Sequence, residues 1–238
     1  MEKRYIQLWS VRDELDKDFK GTLEKLAKMG YTGVEFAAGN FGGMEAPELK
    51  AFLEGLQLEP LGAHITTPNV ADFIAYAKAL GLKYIVDPYK VMATKEEALA
   101  FAKELNEAGA LCRAQGIKFG YHNHAHEFVK AGAGEDTLMD VIITHTNPDD
   151  VFIELDCGWV YEAGVDPVWF IDKYAGRFKL IHVKENKEVP AKESPIAWAN
   201  IVQTAIKQGT AAFVLERENL YADVFTCVAE DCAFLKTL

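Results

Sequence analysis

The chain has 238 residues, 50% hydrophobic and 26% charged, which allows a sizeable core and excludes a disordered or fibrous protein. The 36 acidic and 25 basic side chains leave a net charge of −11, which repels phosphate backbones and anionic lipid. No nucleic-acid or membrane partner is therefore expected, and the natural partner is a small molecule. No apolar run approaches the roughly 20 residues of a membrane span. The start, MEKRYIQLWSVRDEL, brings in Arg12, Asp13 and Glu14 where a signal peptide keeps an apolar stretch, so a cytoplasmic location is expected.

Eight short β-branched or aromatic runs recur along the chain, most followed by a stretch with helical spacing. They are RYIQLW, TGVEFA, EPLGAHI, KYIVDP, IKFGYHNH, VFIELD, FKLIHV and AFVLER. Between them DFKGTLEKLAKMG, APELKAFLEGLQ, TPNVADFIAYAKALG and KEEALAFAKELNEAGALCRAQG read as amphipathic helices, with Gly30, Gly81 and Gly116 as stops. A repeat of about 30 residues is the length of a strand plus a crossover helix, and eight such units predict a closed (β/α)8 TIM barrel in a single α/β domain. An open doubly wound sheet would carry a Gly-rich turn after its first strand, where this chain reads SVRDELDKDF. The piece Asn186 to Ser194 is the best candidate for a mobile loop. Cys112, Cys157, Cys227 and Cys232 form no CxxC pair and read as reduced, buried thiols; Cys157, beside candidate chemistry, reads as a small apolar packer.

In such a barrel the site lies at the carboxyl ends of the strands. Those ends carry Glu35, His64, Asp87, His122 to Glu127, Glu154 with Asp156, His182 with Lys184, and Glu216 with Glu218; five of the six histidines are among them. Ionised carboxylates about 4 Å apart repel by on the order of several kcal/mol, so a ring of them calls for a cation. Mixed carboxylate oxygen and imidazole nitrogen suits one divalent ion, Mn²⁺, Mg²⁺, Co²⁺ or Zn²⁺, while the lack of a thiolate cluster argues against a structural zinc. Asp156, His182 and Glu216 are the first candidate ligands, the alternatives being a turn cap, a core histidine and a protonated carboxyl.

The fifth strand leaves two readings open. If it continues, His122, His124 and His126 share one face and Asn123 the other; if it turns after His124, Glu127 swings over the mouth. Glu154, two residues before Asp156, points into the barrel below it. Glu35, His64, His122 and Lys184 suit substrate, Lys184 alternatively pairing with Glu185 or Glu188. Trp9, Tyr89 and Trp159 suit apolar walls for a sugar ring.

Taken together, IQLWSVRDEL, MGYTGVEF, GAHI, GIKFGYHNHAHEF, ELDCGWVYEAGVDPVWFI, GRFKLIHVKE and VLERE resemble the xylose-isomerase-like TIM-barrel family of sugar phosphate isomerases and epimerases, over nearly the whole chain. The YHNH motif is similar to that of a branch near the inosose dehydratases and keto-sugar enzymes. The resemblance implies one divalent metal held by a strand-five carboxylate, an Asp on strand six, a His on strand seven and a Glu on strand eight; Asp156, His182 and Glu216 match the last three. Where many relatives read Glu-Asn-His this chain reads His122-Asn123-His124, so the fourth ligand is Glu127 or His122. The Glu-x-Gly-x-Gly piece common before helix seven is also missing; Glu193 is present without the glycines.

The expected function is proton abstraction next to the carbonyl of a sugar, keto-sugar or sugar phosphate, as in an isomerase or epimerase. Glu216 is the first choice as base, His124 or Glu127 as partner acid, and Lys184 as the group that steadies developing charge. The alternative is a lyase or dehydratase acting on a keto-inositol or keto-glycoside. A non-catalytic sugar-binding barrel and an apurinic-endonuclease-like nuclease rank lower, and a homo-oligomer is left open.

Overall fold

Each of the eight predicted runs contributes one strand in the computed structural model, which describes residues 1–134 and 136–238. They are β1 (Tyr5–Gln7), β2 (Gly33–Phe36), β3 (Glu59–His64), β4 (Tyr84–Asp87), β5 (Lys118–His122), β6 (Val151–Asp156), β7 (Phe178–Lys184) and β8 (Ala212–Glu216). All neighbours pair in parallel and β8 closes onto β1, giving a closed barrel in strand order. No helix among the described residues is long and apolar enough to cross a membrane.

The helices follow the predicted apolar spacing, with adjustments at their ends. Asp18 accepts from the N–H of Gly21 and caps the helix Phe19–Met29, which stops at Gly30 with a left-handed φ of 101°. Pro68 sits in a 3₁₀ turn, Thr67–Asn69, so the regular helix starts only at Val70. Thr94 and Glu97 form a reciprocal capping box ahead of Lys95–Ala114.

Two cores result. A large one lies between the helices and the outward faces of the strands. A smaller one fills the barrel floor with Tyr5, Leu61, Tyr84, Val86, Phe152, Leu180, Ala212 and Val214. Glycines make room for its rings. A Cβ on Gly120 would stand 2.6 Å from the Phe152 ring, and one on Gly33 would stand 2.6 Å from Tyr5. Beneath this floor Glu59 holds Lys3 at 2.6 Å, the Tyr5 hydroxyl at 2.7 Å, and Lys83. The apolar floor leaves only the upper half of the barrel for polar side chains.

The segment expected to be a mobile loop is tied down. Ala191–Glu193 forms a 3₁₀ turn, Ala191 is buried, and its N–H donates to Asp231, which is held in turn by the buried Arg217. Asn219 donates from Nδ2 to the carbonyl of Asn186.

Candidate metal centre

Strand alternation sends Gln7, Glu35, His64, His122, Glu154 and His182 inward above the floor, where all six are buried. Oε2 of Glu154 is the hub of this layer. It lies 2.8 Å from His64 Nε2, 3.2 Å from His122 Nδ1 and 3.2 Å from His182 Nε2. Glu35 Oε2 lies 2.9 Å from His182 Nε2 and accepts from the Gln7 amide at 2.8 Å.

One level higher the same two imidazoles present their other nitrogens. His182 Nδ1 is 2.7 Å from Glu216 Oε2 and 4.0 Å from Asp156 Oδ2, and His122 Nε2 is 3.9 Å from Asp156 Oδ2. His122, Asp156, His182 and Glu216 thus each offer an atom within 4.8 Å of one another. Neighbouring strands place them, since Asp156 pairs in register with His182 and Lys184 with Glu216. Two backbone devices fix Asp156. Its Oδ1 accepts from the N–H of Trp159 and caps the helix Cys157–Glu162. Its own N–H donates to Asn123 Oδ1, while Asn123 Nδ2 donates to its carbonyl, continuing the ladder beyond β5. Oδ2 remains buried without a hydrogen bond.

The charges around this centre are mutually dependent. Burial alone would strip His182 of its proton, but Glu154, Glu216 and Glu35 outweigh it and raise its pKa well above the usual value. His64 likewise rises to about 10 against its burial, through Glu35 and Glu154. His122 falls to about 3, because burial and its two cationic neighbours outweigh Glu154. Burial, with Glu216 nearby, lifts Asp156 to about 7 although Lys184 and His182 oppose it. Glu216 is buried too, yet Lys184 and His182 hold it well below the carboxylate range.

Lys184 forms the rim of the centre. Its buried ammonium donates to Glu216 Oε1 and Glu218 Oε1, both at 3.0 Å, and lies 4.6 Å from the centre of the Trp159 ring. A cavity of about 300 Å³ opens above it, lined among others by Trp9, His64, Tyr89, His122, His124 and Glu216. His124 stands edge-on to Tyr89, and its Nδ1 is buried without a partner. Burial and the Lys184 charge keep its imidazole neutral, with a pKa pushed down to about 4.

The structure therefore brings Trp9, His64, His122, His124 and Glu216 to one cavity, with Asp156, His182 and Lys184 beside or below it. Three of the expected strand-end residues are placed elsewhere. Glu127 does not reach the cluster. β5 ends at His122, and Glu127, in the 3₁₀ turn His126–Phe128, accepts from the Tyr121 hydroxyl and from the N–H of His124. Tyr121 faces outward and packs edge-on against Phe101, so it draws Glu127 away from the mouth. Of the two alternatives for the fourth position, the geometry brings in His122. Glu35, expected at the substrate, is fully buried one level too deep to line the cavity and instead holds His182. Asp87 also turns aside, accepting from the N–H and hydroxyl of Thr67 and the N–H of Tyr89. Gln7, which donates to Glu35, was not expected at the site, and Asn123, within the polar run His122 to Glu127, was not expected to bracket Asp156.

The donor set fits a divalent ion. Two imidazole nitrogens and two carboxylate oxygens converge, and Asp156 Oδ2, Glu154 Oε1 and Glu35 Oε1 are buried without hydrogen bonds. The carboxylates below grip the far nitrogen of each histidine, the arrangement that presets ligand tautomers in metalloproteins.

The fold and site define a (β/α)8 barrel with a carboxylate and imidazole centre at its mouth. The sequence profile described as Xylose isomerase-like TIM barrel matches residues 23–238, and the chain belongs to that family. It is similar to an inosose dehydratase from Clostridium tetani, 30% identical over 142 residues that cover 60% of this chain and 46% of that protein. It is also similar to one from Lacticaseibacillus casei, 28% identical over 216 residues, 78% of this chain and 70% of that one. The chain spans about half the length of several of the curated relatives it matches. Among solved structures, a sugar phosphate isomerase/epimerase from Parabacteroides distasonis superposes with a TM-score of 0.88 at 25% identity, over 100% of this chain and 99% of that one. An L-ribulose 3-epimerase superposes at 0.78 with 15% identity, over 100% and 94%.

Proposed function

We propose that the protein is a cytoplasmic enzyme of carbohydrate metabolism that moves a proton on the carbon next to a sugar carbonyl, with one divalent ion held by His122, Asp156, His182 and Glu216. The observation that carries this reading is the convergence of those four side chains at the mouth, with a buried and unpartnered Asp156 oxygen among them. A bound cation supplies Lewis acidity, which polarises the carbonyl and acidifies the adjoining C–H.

The chain's own groups divide the remaining work. Glu216 lines the cavity, and Lys184 beside it favours its ionised form, so it is the group placed to accept the proton. Its low basicity means that the substrate carbon has to be made acidic rather than the base strong. Lys184, buried against Trp159 and paired with Glu216 and Glu218, adds positive charge beside the cavity, which favours a developing enolate through its field rather than by direct contact. Neutral His124 offers an unpartnered Nδ1 to a substrate hydroxyl.

A second reading, elimination of water from a keto-inositol or keto-glycoside, is supported by the similarity to inosose dehydratases. It is also supported by strand five, which sets His122 and His124, and no carboxylate, at the cavity. Both readings share the first proton transfer. The test is to incubate the Mn²⁺-loaded protein with ketohexoses and inososes in D₂O and follow deuterium at the carbon next to the carbonyl. Exchange that Glu216→Gln abolishes supports the assignment, and full exchange in that variant overturns it. Mass spectrometry then separates an isomer from a dehydrated product.

A further inference from the structure

Beyond the cavity over the metal centre lies a second one of about 610 Å³, and the two share Ala38, His64 and Pro88 as a common wall. The annex is built differently from the centre. Its surface includes Phe41, Phe73, Tyr76 and Ile65, with the polar side chains of Thr66, Asn69 and Asp72 on the outer side. The three rings form a fixed platform. Phe41 stacks on Phe73 with centroids 5.3 Å apart and tilts against Tyr76 at 4.7 Å, and the Tyr76 hydroxyl donates to the carbonyl of Met44. At the junction Ala38 holds a left-handed φ of 49°, a conformation that costs a non-glycine residue about 1 kcal/mol or more and clusters at ligand sites.

Charge limits what these cavities accept. No Lys or Arg is among the described residues lining either one, whereas Glu216, Glu218 and Asp72 are. The Lys184 ammonium is already taken by Glu216 and Glu218. A phosphoryl group would meet carboxylates and no free cation.

We propose that the substrate is an uncharged carbohydrate bearing a ring-sized apolar substituent, its sugar ring over the metal centre and its substituent on the Phe41–Phe73–Tyr76 platform. This rests on the reading of the centre given above. Volume supports it, since the annex of about 610 Å³ adjoins the cavity of about 300 Å³ over the centre and adds room for a ring beyond the sugar. The aromatic side chains, next to the sugar cavity, suit a planar or alicyclic ring and offer nothing to an anionic group.

The test is calorimetric titration of the Mn²⁺-loaded protein with methyl β-D-glucopyranoside, phenyl β-D-glucopyranoside and glucose 6-phosphate. The phenyl glycoside is expected to bind roughly tenfold more tightly than the methyl glycoside. Phe73→Ala is expected to bring the phenyl glycoside down to the affinity of the methyl one. Absence of phenyl glycoside binding, equal affinities in the unaltered protein, or tighter binding of glucose 6-phosphate overturns the proposal. Saturation-transfer NMR on the unaltered protein is independent of the variant's folding: phenyl protons are expected to saturate at least as strongly as sugar protons, and a signal confined to the sugar overturns the proposal. The ratio of the two affinities is read without turnover. A failed exchange experiment would therefore sink the chemistry assigned to the centre and leave the annex standing, and the reverse also holds.

Discussion

Oε2 of Glu154 sits 3.2 Å from Nδ1 of His122, on the side of the ring away from Asp156, toward which Nε2 is turned at 3.9 Å. One carboxylate thus decides which nitrogen of His122 carries the proton and which keeps its lone pair for the mouth. Glu154→Gln keeps the shape but loses the anion that holds three imidazoles. Affinity for Mn²⁺ is expected to drop by about 10- to 100-fold, the cost usual for losing such a partner. Titration calorimetry reads it, and an unchanged affinity would show that Glu154 acts only as packing.

Asp156 uses its two oxygens separately, Oδ1 on the N–H of Trp159 and Oδ2 free of any hydrogen bond. Asn caps a helix about as well as Asp. Asp156→Asn should therefore keep the thermal midpoint of the metal-free protein, or raise it by relieving a buried charge, while losing most Mn²⁺ binding. Thermal melts with and without Mn²⁺ check both halves, and a Mn²⁺-dependent rise in the variant equal to that of the unaltered protein would remove Asp156 from the centre.

The rim was legible because each strand ends its apolar run on a polar residue, and the alternation of inward positions is a property of the strand itself. Asp156, His182 and Glu216 could be read that way, and so could the place of Glu154 beneath them. Depth along the barrel could not. Glu35 ends its strand as visibly as Glu216 does, yet β2 shifts register against β3 between Val34 and Glu35, and Glu35 lies level with Gln7. Glu127 was illegible for a different reason. Its direction depends on Tyr121, six residues earlier, whose outward hydroxyl captures it through a turn that leaves no periodic trace. The apolar annex needs Phe41, Phe73 and Tyr76 from two separate segments, and only the tertiary fold brings those together.

At the opposite end of the barrel Glu59 gives a stability test independent of the site. Burial raises its pKa, but Lys3, Lys83 and the Tyr5 hydroxyl outweigh that and hold it at about 2, below the ordinary 4.5. A depressed carboxyl stabilises the fold above its unfolded value and loses that contribution as pH falls through the folded one. Glu59 is partly exposed, so its contribution at neutral pH is about 1 kcal/mol after screening. Glu59→Gln should melt about 2–4 °C lower than the unaltered protein at pH 7. The gap should close between pH 4.5 and 2, and a gap that persists at the acid end would rule out the ion pairs as its source.

Lys184 places a buried positive charge 3.8 Å from Asp156 Oδ2 and 3.0 Å from Glu216 Oε1. That charge competes with any cation at the centre. Lys184→Met should bind Mn²⁺ more tightly, by roughly tenfold at an intermediate effective dielectric, yet slow proton exchange on a confirmed substrate. Weaker metal binding together with unchanged exchange would contradict both roles at once. Tighter binding with exchange intact would keep the competition with the cation and remove Lys184 from the proton transfer.

Without metal, protons do the work of a cation. His182 is held charged by Glu154, Glu216 and Glu35, and Asp156 keeps its proton up to about pH 7. A metal needs both as bare ligands, so binding has to expel those protons. The sign follows: Mn²⁺ affinity rises with pH from 6 to 8, steeply until Asp156 has titrated and more gently beyond, where only His182 still gives up a proton. Calorimetry in two buffers of different ionisation enthalpy measures the release directly. At a metal concentration about 100 times Kd, binding adds about 2.7 kcal/mol, a rise of several degrees in the thermal midpoint. Affinity independent of pH, with no proton released, would mean that the cation sits away from Asp156 and His182.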